Sequence, residues 1–238
     1  MFTLCVVQHT DGEFLGLLED HFEGRAIRFV YARPFVPGGS LPGTAQGYDG
    51  LVLLGAGPRG MASGDLLPSL AAESRLTSAF LDAGLPVIGI GLGSIMLAVA
   101  AGGGCVVAPL RFIVGEARRT DPDALAGHLP PTYPYALYMR DRALLPADAR
   151  VLAVDEDGAP MLFQIRGNCL GFTAHPGIKS GMIEDLVMEF DATPEHVPEG
   201  LAKLATRQRM IAEALSGIMV GLVKVAGLMT THSARGRV

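Results

Sequence analysis

The sequence predicts an α/β fold built on an open, mostly parallel sheet with helices on both faces, a small antiparallel extension and a C-terminal helical tail. Three observations predict it. Short β-branched runs alternate with helical stripes in the amino-terminal part, the strand ending at Ile90 has no polar position, and the helix signal fades after Val106. A strand that is apolar on both faces is what a parallel sheet covered by helices requires.

Each element follows from local pattern. Phe2 to Gln8 is an apolar run that reads as a strand, and Glu13 to Phe22 places Phe14, Leu15, Leu17, Leu18 and Phe22 at helical spacing. Ala26 to Ala32 reads as a second strand, and a Pro/Gly-rich connection from Pro34 to Gly47 leads to a third at Asp49 to Leu54. Leu66 to Ala83 carries an apolar stripe of Leu66, Leu67, Leu70, Leu76, Phe80 and Leu81, stopped by Gly84. Leu85 to Ile90 is a buried strand and Leu92 to Ala101 an apolar helix, so the order is β-α-β-β-α-β-α. Beyond them, Arg111 to Ala117, Tyr135 to Arg140, Val151 to Val154, Met161 to Arg166 and Leu170 to Ala174 read as shorter strands, with Asp155 to Gly158 as a polar turn. Ligands of such sheets bind beyond the carboxyl ends of the strands, so the turns there matter most.

Composition excludes several classes. The chain has 238 residues, 49% apolar and 18% charged, which fits one globular domain with a tail. A net charge of −5 without a Lys/Arg run longer than a pair offers no footprint for nucleic acid. Cys5, Cys105 and Cys169 are odd in number, widely spaced and set in apolar runs, which argues against disulfides and zinc and for a reducing compartment. Met1 leads directly into a strand-like run with no secretory pattern, so the cytoplasm is the expected location.

Gly89, Ile90, Gly91, Leu92 and Gly93 form a G-x-G-x-G series where a buried strand meets a helix. In hydrolases with a nucleophile elbow this frame is G-x-nucleophile-x-G, because a sharp turn leaves no room for side chains two residues to either side. The helix N-terminus beyond it can hold an oxyanion. Here the central residue is Gly91, which has no atom to attack with. A dinucleotide reading is weak, since Ser94 stands at the third glycine of G-x-G-x-x-G. Close strand-to-helix packing alone would also explain the glycines.

The segment Pro86 to Ala98, PVIGIGLGSIMLA, resembles the P-x-x-G-I-C-L-G-x-Q-x-x-A elbow of class I glutamine amidotransferases. Tyr48 to Pro58, YDGLVLLGAGP, resembles the family's strand and G-G-P turn. Tyr138, Met139, Arg140 and Asp141, followed by Leu145 and Pro146, resemble the stretch around its H-x-D, and Gly171 to Gly177, GFTAHPG, resembles G-x-Q-F-H-P-E. Four ordered landmarks span most of residues 2 to 180 and imply the flavodoxin-like fold of that family.

Carried over residue by residue, the resemblance puts Gly91 at the nucleophilic cysteine, Ile95 at the substrate-contacting glutamine and Gly177 at the triad glutamate. Only His175 survives of the triad. A thiolate is needed to form the glutamyl thioester, so ordinary glutaminase activity is not expected. Ser94 and the three cysteines are not placed to replace it. Gly57 and the backbone N–H of Leu92 would still form an oxyanion-like notch for a small polar metabolite. His175 has two readings, a hydrogen-bonding or proton-accepting group facing the elbow, or a cap on the Pro176 turn. Gly91→Cys with Gly177→Glu is expected to fit sterically. No cofactor and no metal are expected.

The family domain is expected over residues 1–190 and a helical extension over 191–238. Glu199 to Met229 reads as one long helix that breaks, if anywhere, near a glycine. Glu213, Ser216 and Lys224 argue against a membrane span. Gly217 and Gly221 permit close helix approach, and an apolar helix this long must be covered by its own domain or by a second copy. A homodimer is the expectation, with Thr230 to Val238 as a mobile end. Three functions follow: a binding or partner subunit without glutaminase chemistry, an enzyme that reuses His175 and the notch on a small metabolite, or a structural subunit whose tail binds a synthetase-like protein.

Overall fold

The computed structural model describes residues 1–229. Its amino-terminal half runs β1 (Thr3–Val7), α1 (Leu18–Glu23), β2 (Arg28–Ala32), β3 (Gly50–Leu53), α2 (Leu70–Asp82), β4 (Val87–Ile90) and α3 (Leu92–Ala100). There follow β5 (Gly104–Val106), β6 (Arg111–Arg119), β7 (Thr132–Met139), β8 (Arg142–Leu144), β9 (Arg150–Val154), β10 (Pro160–Ile165) and β11 (Cys169–Phe172). The chain closes with α4 (Ser180–Glu189) and α5 (Val197–Val225). Among the described residues, nine strands form one sheet in the order β2-β1-β3-β4-β11-β10-β9-β6-β7, and β5 pairs with β8 in a separate ribbon. The β2-β1-β3-β4-β11 part is parallel, and the remainder is antiparallel.

Alternation along the strands divides the core. In β1, Leu4 and Val6 point to the side that also buries Leu18 and Phe22 of α1 and the apolar face of α5. Cys5 and Val7 point to the other, among Leu76 and Phe80 of α2 and Met96 and Leu97 of α3. The mostly parallel sheet, antiparallel extension and C-terminal helix match the predicted class. Three details differ. The first helix begins only at Leu18, because Glu13 to Leu17 runs as a loop with Gly16 at φ 61°. The β5–β8 ribbon and α4 have no counterpart in the sequence reading, since three-residue strands carry no period and α4 buries only Met182, Ile183 and Leu186.

Helix α5 runs unbroken for 29 residues, about 44 Å at the usual rise. Leu204, Ile211, Leu215, Ile218 and Leu222 lie on one buried stripe against β6 and β7. A Cβ at Gly221 would overlap the carbonyl of Leu125, so this glycine permits the close approach of the helix to a loop of its own chain. The apolar face that suggested a homodimer is therefore covered within the subunit. Thr230 to Val238 lie outside the described residues. No described helix is long and apolar enough to cross a membrane.

Candidate functional site

The turn from β4 into α3 has the geometry of an elbow. Gly91 sits at φ 56° and ψ −123°, outside the regions open to other L-residues, and its N–H donates to the Phe172 carbonyl at 2.9 Å. The flanking glycines are sterically required. A Cβ at Gly89 would lie 2.7 Å from the Ser94 Cα, and one at Gly93 would lie 2.6 Å from the Leu53 carbonyl carbon. At Gly91 itself a Cβ would meet the Gly55 backbone, Cα at 3.3 Å and N at 3.9 Å. The turn has more room there than at its flanking glycines, and it supplies no side chain.

The notch beside it is filled from within the chain. Glu13, on the loop after β1, is 4% exposed. Its carboxylate lies against Gly55, where any Cβ would overlap it, and Oε2 accepts the Gly57 N–H. Gly57, at φ 58°, is roofed by α4, so a Cβ there would lie 3.0 Å from Leu186 Cδ2 and 3.1 Å from the Phe190 ring. Burial pushes the Glu13 carboxyl up to about 7, against the Gly57 hydrogen bond and the nearby His9, which pull it down. The Glu13 backbone N–H is held by Thr10 Oγ1 at 3.0 Å.

His9 stands next to this group. Its Nδ1 is 2.9 Å from the Gly55 carbonyl and its Nε2 is 2.6 Å from Glu73 Oε2, while Ser69 Oγ donates to the other Glu73 oxygen. Both imidazole nitrogens face acceptors, so the ring carries both protons and forms a buried ion pair with Glu73. Burial works against that charge, but the Glu73 carboxylate outweighs it and raises His9 above its ordinary value. Tyr138 adds a phenol whose buried hydroxyl has no hydrogen-bond partner among the described residues. Burial and the Glu13 charge push it up to about 12.

Two clefts flank the notch. One, of about 400 Å³, is lined by Pro58, Arg59, Arg140, Glu189 and Phe190 among others. The second, of about 230 Å³, has His9, Phe35, Arg59 and Ser69 in its wall. The loop between them is held by Asp141, whose Oδ2 accepts the N–H groups of Met61, Ala62 and Ser63 at 2.9 to 3.2 Å.

Solved structures carry the same arrangement of elements. A glutamine amidotransferase from Methylobacillus flagellatus is 20% identical, aligns over 100% of this chain and 99% of its own, and superimposes with a TM-score of 0.81. One from Thermotoga maritima is 20% identical over 94% of this chain and 98% of its own, with a TM-score of 0.79. The chain has the class I glutamine amidotransferase fold. A putative GMP synthase component from Thermoplasma acidophilum is 17% identical over 88% and 96% of the two chains, with a TM-score of 0.60. No family model and no curated protein matches the sequence.

Within this amidotransferase fold, the residues picked from sequence separate. Gly91 and Gly57 both approach the Gly55 and Glu13 pocket, and Leu92 opens α3 beside them. Ile95 is fully buried in the core. His175 is 5% exposed, and both its nitrogens serve backbone: Nε2 lies 2.8 Å from the Phe14 carbonyl, and Nδ1 accepts the Gly177 N–H at 3.1 Å. That fixes a neutral tautomer, and burial lowers the ring to about 4. The geometry is that of a cap on the Pro176 turn, tied to the Glu13 loop.

Gly177 qualifies one expectation. A Cβ there would run into Leu18 Cδ1 and lie 3.1 Å from the backbone nitrogens of Leu17 and Leu18, so a larger side chain needs the Leu18 side chain to shift and crowds the start of α1. Leu17 N–H donates to the Gly177 carbonyl at 2.9 Å, which brings the start of α1 down onto this turn. Ser94 Oγ donates to the Gly91 carbonyl at 2.7 Å. Cys5 is buried, and burial pushes its thiol up to about 12. Sequence reasoning missed Glu13, His9 and Glu73. The polar run from Gln8 to Glu13 at the carboxyl end of β1 was one signal, and Glu73 between Leu70 and Leu76 on an apolar helix face was another.

Proposed function

We propose that this chain is a class I glutamine amidotransferase-like protein that does not hydrolyse glutamine and acts as a small-molecule-binding or partner subunit. The observation that carries the reading is the Glu13 carboxyl on the Gly57 N–H: the donor that would steady an oxyanion is committed to the chain's own acid, beside an elbow with no nucleophile. The crowding of the Gly177 Cβ position by Leu18 and the start of α1 supports it.

A metabolite would then be held beside the notch, in the cleft between Arg59 and Arg140, and not in the notch itself. A synthetase-like partner is consistent with the likeness to the structure described as a putative GMP synthase component. An enzyme acting through His175 draws no support from the geometry, since both of its nitrogens are held by backbone.

The test is ammonia release from glutamine by the wild type and by Gly91→Cys. Neither is expected to release it above a buffer control, because the thiol alone leaves Glu13, Ile95 and Gly177 in place. Saturable release by the wild type would overturn the reading.

A further inference from the structure

On the far side of the β6–β7 hairpin from Tyr138, a cleft of about 160 Å³ opens between the hairpin and the start of β10. Its apolar wall includes Leu137, Met161 and Phe163, and two arginines, Arg111 and Arg142, line it together. Neither forms an ion pair among the described residues. Arg111 Nε is buried and meets no acceptor among the described residues, while its Nη2 reaches the Asp141 carbonyl only at 3.5 Å. Asp155 is the acid in the wall, and its Oδ1 is committed to the N–H groups of Asp157 and Ala159 at 3.0 and 2.8 Å.

A buried guanidinium N–H without an acceptor is costly, and a second arginine beside it compounds the charge. Burial and the like charge of Arg142 hold the Arg111 guanidinium below its usual range, against the nearby Asp155, which pulls it up. An anion between the two would relieve both effects, and a guanidinium fork matches a carboxylate. The apolar wall fixes the rest of the ligand, since an apolar cavity of about 150 Å³ takes a benzene-sized guest.

We propose that this cleft binds a small organic acid, with its carboxylate on Arg111 and Arg142 and a body of about benzene size on Leu137, Met161 and Phe163. Neither Gly57, Gly91, Glu13 nor His175 lines it, so the site stands or falls apart from the glutaminase reading.

The experiment is a calorimetric titration of the full chain with benzoate, set beside inorganic phosphate, which lacks the apolar body, and benzyl alcohol, which lacks the charge. Benzoate is expected to saturate at one site, and each of the other two to bind at least about tenfold more weakly. Arg111→Met should weaken benzoate by about ten- to a hundredfold, the loss of charge-assisted hydrogen bonds. Arg142→Met should cost less, because Arg142 is exposed. Arg209→Met, at the exposed face of α5, should change nothing. Without ligand, Arg111→Met should unfold at or above the wild-type temperature, because it removes an orphaned donor. If that variant does not fold, the Arg111 Nε–H resonance of the wild type decides: a shift that saturates with benzoate supports the site. No benzoate binding, equal binding by phosphate or benzyl alcohol, unchanged affinity in folded Arg111→Met, or an unmoved Nε–H resonance would each overturn it.

Discussion

Replacing Glu13 with glutamine isolates the acid that fills the notch. The amide keeps the shape and leaves an oxygen to accept the Gly57 N–H, but it cannot ionise. Burial raises the wild-type carboxyl from 4.5 to about 7. A group raised on folding contributes stability in full below its unfolded value, and that contribution fades as pH rises towards the folded value. Between pH 4.5 and 7 the unfolded chain loses a proton that the folded chain keeps, so the wild type should lose about 3 kcal/mol over that window. Glu13→Gln has no such loss. Urea unfolding at half-unit steps from pH 4 to 8 should show the variant gaining about 3 kcal/mol relative to the wild type, with the gap level above pH 7. Parallel curves would refute the reasoning, because they would mean that Glu13 ionises alike in both states.

Other substitutions probe the neighbouring contacts. Glu73→Gln leaves the buried His9 charge without its partner and should destabilise by about 3 to 5 kcal/mol in urea unfolding. Gly177→Ala pushes a methyl towards Leu18 and the Leu17 and Leu18 nitrogens, and should lower stability by about 1 to 3 kcal/mol in the same assay. His175 is depressed on folding, so its contribution is present above pH 6.5 and lost as pH falls towards 4. His175→Gln should flatten that acid limb, a change of about 3 kcal/mol that unfolding at pH 4 and 7 would measure.

The order of strands and helices was legible because buried parallel strands and apolar helix stripes leave strong local signals. Ile88 and Ile90, with Leu92, Met96 and Leu97, are apolar for a reason that any ten-residue window contains. The elbow was legible too, since Gly89 and Gly93 are demanded by contacts within a few residues or on the adjacent strand. What fills the notch was not. Glu13 reaches Gly57 across 44 positions of sequence, and only the loop at Gly16 brings it there. The same limit hid the surroundings of Gly177: the Leu18 side chain and the Leu17 and Leu18 nitrogens crowd its Cβ position from a distant part of the sequence. Arg111 carried no motif at all, and its isolation appears only once β6, β7 and β10 enclose it.

The decisive contact is the Glu13 carboxyl on the Gly57 N–H, and NMR can follow both ends of it in one pH titration. The Glu13 carboxyl carbon and the Gly57 amide are expected to shift together, with one midpoint near pH 7. A carboxyl midpoint near 4.5 with an unmoved Gly57 amide would contradict that contact, leaving the notch open to a substrate.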